Sequence, residues 1–427
     1  MSKNKSIDRR HFLQAATASA AALSPGSLVG TNTPTVAPKK VAAVATVYRR
    51  GSHADVILGK ILEGWKQDSG PGPALELASL YVEQIGDDDL SKDLCERYGI
   101  PMFDSIEQTV TCGTDRVPVD GVISIAEHGD YPWNQRAQHL YPRRRFFQEI
   151  TDVLERHDAG IPVFNDKHPG PEWEDSLWMY ERAKQLKLPF MAGSSLPVSY
   201  RSPAMPVPLN AKLEAAVGIG YDGLDIYGSH ALDSLQSIIE RRRRAKTGVR
   251  WVQLLEGDAV DRVFSEGLVS YDLFTAAFEV VPKVQGNISP VIAPQRSVIL
   301  FECEDGFLGA QFMLQSVNRT SVAVKLEGQR TPVATQFEER TEPRHPHFAY
   351  LTKAIERMMH TGKPAYPVER AVLTSGILDR AIRSWHEKGK RIYTPELSIQ
   401  YKPIDYPHAP LPSLTSDPNI PIRQLIK

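Results

Sequence analysis

From residue 39 onward the chain alternates two hydrophobic rhythms. KKVAAVATVY (39–48) is a short apolar run with a basic start, the pattern of a buried strand. HADVILGKILEGW (53–65) follows, with Val56, Ile57, Ile61, Leu62 and Trp65 at helical spacing. ALELASLYVE (74–83), VDGVISIAE (119–127), IPVFND (161–166) and PFMAGSS (189–195) repeat the strand pattern. DDDLSKDLCERYG (87–99), RRRFFQEITDVLERHDAG (143–160) and EWEDSLWMYERAKQLK (172–187) repeat the helical one, the first two closing on glycine. Such alternation predicts a parallel sheet with helices on both faces.

The rhythm then changes. VRWVQLLEGD, SVILFECEDG, FLGAQFML and SVAVKLEGQ are strand-like runs closed by glycine or acidic turns, with few helices between them. Amphipathic helices are expected late, at 347–363 and 368–390. The predicted fold is an N-terminal Rossmann-like parallel-sheet domain (39–200). An α+β domain (201–401) follows, with an open, mainly antiparallel sheet and flanking helices. A proline-containing tail from 402 to 427 reads as extended.

The first residues differ from all of this. SKNKSIDRRHFLQAATASAAALSPGS carries a basic start, Arg9-Arg10, Phe12-Leu13 and an alanine-rich run, the layout of a twin-arginine export signal. The run is too short to span a bilayer, and no later stretch approaches the necessary length. Residues 1–38 therefore read as signal and linker, and the mature chain as a periplasmic protein without a membrane span. The formal net charge of −1 supplies no field to gather nucleic acid. Cys95, Cys112 and Cys303 are too far apart for a disulfide framework or metal knuckle and read as buried thiols.

Four stretches carry a resemblance. They are FDSIEQTVTCGTDRVPVDGVISIAE, IPVFNDKHPGPEWEDSLWMYERAKQLKLPFMAGSS, DIYGSHALDSL and GKPAYPVERAVLTSGILDRAIRSWHEKGKRI, and together they span nearly all of 39–401. The chain resembles the Gfo/Idh/MocA family of nicotinamide-dependent sugar and inositol oxidoreductases. The resemblance implies NAD or NADP as cofactor, a small carbohydrate as substrate, and a homodimer or homotetramer paired through open sheets. In that family a Glu-Lys-Pro triplet ends a sheet strand, and its lysine reaches the substrate. Here Asp166-Lys167-His168 stands in its place, so Lys167 matches and Asp166 is a shorter acid. His230 matches the family histidine. Its usual acid partner is replaced by Ile226, with Asp225 one residue early and turned about 100° off that face of a helix. Asp233 is spaced to share the His230 face.

Two departures concern the cofactor. The glycine-rich turn that lets backbone approach a pyrophosphate reads VATVYRRGSHAD. Tyr48, Arg49, Arg50, Gly51 and Ser52 occupy it; either the arginines grip phosphate directly, or the turn is remodelled and no dinucleotide binds in the usual way. Glu83 is placed to accept ribose hydroxyls, or is a plain surface acid. After the third strand, AEHGDYPWN sets Ala126, Glu127, His128, Asp130, Tyr131 and Trp133 in a loop near Lys167, with Tyr131 and Trp133 as substrate contacts. The leading expectation is oxidoreduction of a sugar or cyclitol hydroxyl, His230 acting as general base and Lys167 stabilising the alkoxide. Two alternatives remain. One is a metal-dependent hydrolase or lyase using His128, Asp130, Asp166, His168 and His230. The other is a non-catalytic relative binding a carbohydrate or a partner.

Overall fold

The structure, a computed structural model, describes residues 36–285, 293–342 and 344–406. The expected signal and the end of the tail lie outside these residues. The first sheet is built from β1 (Lys39–Ala45), β2 (Leu75–Val82), β3 (Gly121–Ile125), β4 (Val163–Asp166) and β5 (Phe190–Gly193). Its order is β2-β1-β3-β4-β5 and every pair is parallel. The connecting helices are α1 (His53–Glu63), α2 (Ser91–Tyr98), α3 (Ile106–Thr111), α4 (Arg143–Arg156) and α5 (Trp173–Gln185). β1, β3, β4 and β5 are almost wholly buried, which explains their near-continuous apolar runs. The strand order reverses between β1 and β3, and the crevice beyond their carboxyl ends is where open α/β sheets bind ligands.

The second sheet has eight strands: β6 (Arg201–Ser202), β7 (Leu213–Gly220), β8 (Val249–Glu256), β9 (Arg296–Cys303), β10 (Leu308–Leu314), β11 (Ser321–Leu326), β12 (Val333–Phe337) and β13 (Ile392–Tyr393). Their order is β13-β8-β9-β10-β7-β11-β12-β6, antiparallel throughout except for the β10–β7 pair. Helices α6 (Leu224–Ile239) and α10 (Val368–His386) pack together and join one face of this sheet to the main core. α9 (Pro346–Thr361) returns to α1 and the first sheet.

Between β8 and β9 the chain forms two helices that the hydrophobic pattern did not reveal, α7 (Ala259–Ser265) and α8 (Tyr271–Glu279). Val260, Val263, Leu273 and Ala277 bury Val298, Leu300 and Phe312 on the other sheet face. α7 and α8 thus cover part of that sheet face with the chain's own side chains. No described helix is long and apolar enough to cross a membrane.

Candidate active site

A cavity of about 330 Å³ lies at the carboxyl end of the first sheet. Lys167, Glu127, His128, Gly51 and His53 line it from that sheet and α1. Ile226, Tyr227 and His230 line it from α6, and His345, His347 and Phe348 from the start of α9. Tyr221, Arg319 and Glu339 close it from the second sheet, where β7 ends, β11 begins and β12 ends.

Two non-glycine residues with positive φ bend the backbone at the strand ends, His128 at 69° and Lys167 at 62°. Such a conformation costs about 1–3 kcal/mol per residue and persists where the surroundings impose it. Lys167 is held on its far side by a bridge to Gly193. Its ammonium lies 2.8 Å from the Glu127 carboxylate, and both side chains are buried. Arg143, the first residue of α4, donates to the other Glu127 oxygen. Burial pushes the Glu127 carboxyl up, but the Lys167 and Arg143 charges overcome it and hold the group well below the usual carboxylate range.

The sequence reading missed His53. It is the first residue of α1, and its Nδ1 lies 2.5 Å from Asp166 Oδ2 at the end of β4. Asp166 does not line the cavity; it holds the imidazole that does. His53 stands 5.2 Å from His128 and 6.5 Å from His230, centroid to centroid. His230 Nδ1 lies 2.5 Å from Ser194 Oγ, which also accepts from Leu196 N. Burial, followed by the charges of Lys167 and His53, holds the His230 imidazole well below its ordinary value. His128 is lowered to about 4, by burial first and then by His53.

Other expected site residues lie elsewhere. Asp233 is buried away from the cavity, accepting from Ser194 N at 2.8 Å and pairing with Arg370 Nε at 2.9 Å. It holds the backbone of Ser194, whose hydroxyl meets His230, and does not line the cavity. Asp225 turns to the β3–α4 loop and accepts from His139 N, and burial raises its carboxyl to about 6. His168 packs on Arg143 at 3.3 Å. Ala126 is core. Trp133 stacks on His139, with centroids 4.3 Å apart, and Tyr131 donates to Glu83 at 2.5 Å; neither reaches the cavity. Arg143, the first of three consecutive arginines, is a buried partner of Glu127. Asp130 is exposed. Among the described residues no group of three or more His, Cys, Asp or Glu side chains is placed to hold a metal ion.

The β1–α1 turn bears on whether a dinucleotide fits. Ser52 caps α1, its Oγ accepting from Asp55 N at 3.3 Å. Asp55 in turn accepts from Gly51 N at 2.8 Å. The chain's own carboxylate thus takes an amide that such turns offer to phosphate. Tyr48 faces the core with 1% exposure. Glu83 is engaged by Tyr131 and Arg145, and Gln84 clasps the Asp130 backbone through bonds of 2.8 and 3.0 Å. The space above Gly51, at φ +75°, stays open, with Arg49 and Arg50 exposed alongside. The groups free to meet a dinucleotide at this turn are therefore the open face of Gly51 and the Arg49 and Arg50 side chains, while the Gly51 amide and Glu83 are engaged within the protein.

No family model and no curated protein sequence matches the chain. Solved structures do resemble it. GenD2 from gentamicin A biosynthesis, in complex with NAD, superposes with a TM-score of 0.53 at 13% identity, over 86% of this chain and 99% of that one. A putative myo-inositol dehydrogenase from Sinorhizobium meliloti gives 0.53 at 11% identity, over 83% and 99%. A probable dehydrogenase from Thermotoga maritima gives 0.54 at 12% identity, over 84% and 99%. At these identities the likeness is one of fold. The chain has the two-sheet architecture of those dehydrogenases.

Proposed function

We propose that this protein is a nicotinamide-dependent oxidoreductase acting on a hydroxyl group of a sugar or cyclitol. The observation that carries the proposal is the convergence of a paired ammonium, Lys167, and a carboxylate-held imidazole, His53, on one cavity at the sheet's switch point. The fold shared with sugar and inositol dehydrogenases supports it.

Hydride transfer is the chemistry a bound nicotinamide supplies. His128 would line that end of the cofactor, and the open face of Gly51 with Arg49 and Arg50 would meet its diphosphate. The rest falls to the chain's own side chains. With Asp166 accepting from Nδ1–H, His53 keeps a free Nε2 for the substrate proton. Lys167 steadies the developing alkoxide. Ser194 Oγ already accepts from Leu196 N, so its own hydrogen is free to donate to His230 Nδ1. His230 then carries its proton on Nε2 and acts as a donor to the substrate. In this reading the base is His53, where the sequence pointed to His230. We place the mature chain in the periplasm on the strength of its arginine pair, with its cofactor retained rather than exchanged.

A second reading is favoured by the internal use of the Gly51 amide and Glu83. In it the chain binds a carbohydrate without any nucleotide and without catalysis. One measurement separates the two: purification without added nucleotide, denaturation, and identification by mass of what is released. Close to one NAD or NADP per chain supports the first reading. No release, together with no binding on titration, supports the second.

A further inference from the structure

The cavity has two chemically different ends. Ring contacts trace its length from His53 to His230, from His230 to Tyr227 at 6.1 Å, and from Tyr227 to Tyr221 at 4.8 Å. Lys167 and His53 stand at one end. Tyr221, Glu339 and Arg319 stand at the other.

The cations at the first end are already engaged by a carboxylate of the chain. Lys167 is matched by Glu127, which Arg143 also engages. Burial keeps His128, His230, His345 and His347 below their ordinary values, so these imidazoles are neutral near pH 7. At the far end Glu339 is committed within the protein. It accepts from Tyr221 Oη at 2.5 Å and from Thr320 N at 2.7 Å. Arg319 is different. It lines the cavity, is half-buried, and donates only to its neighbour's carbonyl, Asn318 O, at 2.7 Å. No carboxylate among the described residues hydrogen-bonds to it, although Glu339 on the same wall lies close enough to feel its charge. A cavity-lining guanidinium with unused donors is a receptor for a planar or tetrahedral anion, which it can meet with two parallel hydrogen bonds.

We propose that the substrate is an acidic sugar whose anionic group binds Arg319, while the reacting hydroxyl sits at Lys167 and His53. Asn318 and Thr320 flank Arg319 on the same wall. The volume of about 330 Å³ lies at the small end of ligand cavities and suits a monosaccharide. The proposal rests on the oxidoreductase reading only for the reacting end; the anion end stands without it.

The test is therefore a binding measurement that needs no turnover. D-glucuronate, glucose 6-phosphate and D-glucose are titrated calorimetrically into the mature chain and into Arg319→Gln and Arg319→Lys. Expected is binding of at least one anionic sugar at least about tenfold tighter than glucose, lost in Arg319→Gln and partly kept in Arg319→Lys. Preference for glucuronate assigns the anion as a carboxylate, and preference for glucose 6-phosphate as a phosphate. Equal binding of glucose and both anions, no binding of any of the three, or anion binding unaffected in Arg319→Gln overturns the proposal. Melting temperatures of the variants check that they fold. Absence of nucleotide from the purified chain would remove the oxidoreductase reading but leave this result standing.

Discussion

His53 and Asp166, separated by 113 positions in the chain, meet through Nδ1 and Oδ2 at 2.5 Å beside the cavity. If this pair removes the substrate proton, His53→Ala lowers kcat by about 10²–10⁴-fold with the fold intact. Asp166→Asn, which still fills the space, gives a smaller loss and an altered acid limb in the pH–rate profile. Steady-state kinetics across pH read both. Normal rates in His53→Ala would return the base to His230.

Ser194→Ala removes the group that fixes His230. Its expected signature is a fall in kcat with KM nearly unchanged, since the ring stays in place but loses its orientation. A change confined to KM would contradict the positioning role.

The Glu127 carboxylate is shared by Lys167 and Arg143 in a buried cluster. Glu127→Ala strands two buried cations and is expected to cost about 3–5 kcal/mol in urea unfolding. A loss under 1 kcal/mol would mean that water reaches the pair.

Stability should fall as pH drops. His128, His168, His230 and His347 all titrate below their ordinary value in the folded chain, burial being the first cause in each. The unfolded chain binds protons near pH 6.5, so it is favoured as pH falls through that value and down to the folded values, about 4 for His128. The urea midpoint at pH 5 is expected below that at pH 7.5, and equal midpoints would refute the neutral-histidine cluster. Glu127, held low, contributes in the same direction only in stronger acid.

Arg49 and Arg50 stand exposed where amides would ordinarily cradle phosphate. The double change Arg49→Ala, Arg50→Ala is expected to weaken NADH about tenfold or more, and to reduce the salt dependence of binding. Fluorescence titration at two ionic strengths measures this. Unchanged affinity would mean that the arginines do not grip the cofactor.

The sequence by itself showed the five strands of the first sheet, four of the eight in the second, and most of the helices. Buried strands such as Val163–Asp166 and amphipathic helices such as Val368–His386 write their environment into local hydrophobic spacing. It also placed Lys167 and His230 at one site, through a resemblance carried by neighbouring residues. α7 and α8 escaped because short helical segments between strands leave little periodicity to read. The acid–base partners escaped for a different reason. Asp233 has the spacing to accompany His230, yet Arg370 arrives from α10 to claim it. Arg143 reads as one of three arginines on the surface or paired with acids, and only the fold shows which acid, Glu127, it meets. His53, Ser194 and Arg319 carry no local pattern at all. Their roles come from contacts between segments far apart in the chain, and only the tertiary structure decides which polar groups meet when water is removed from between them.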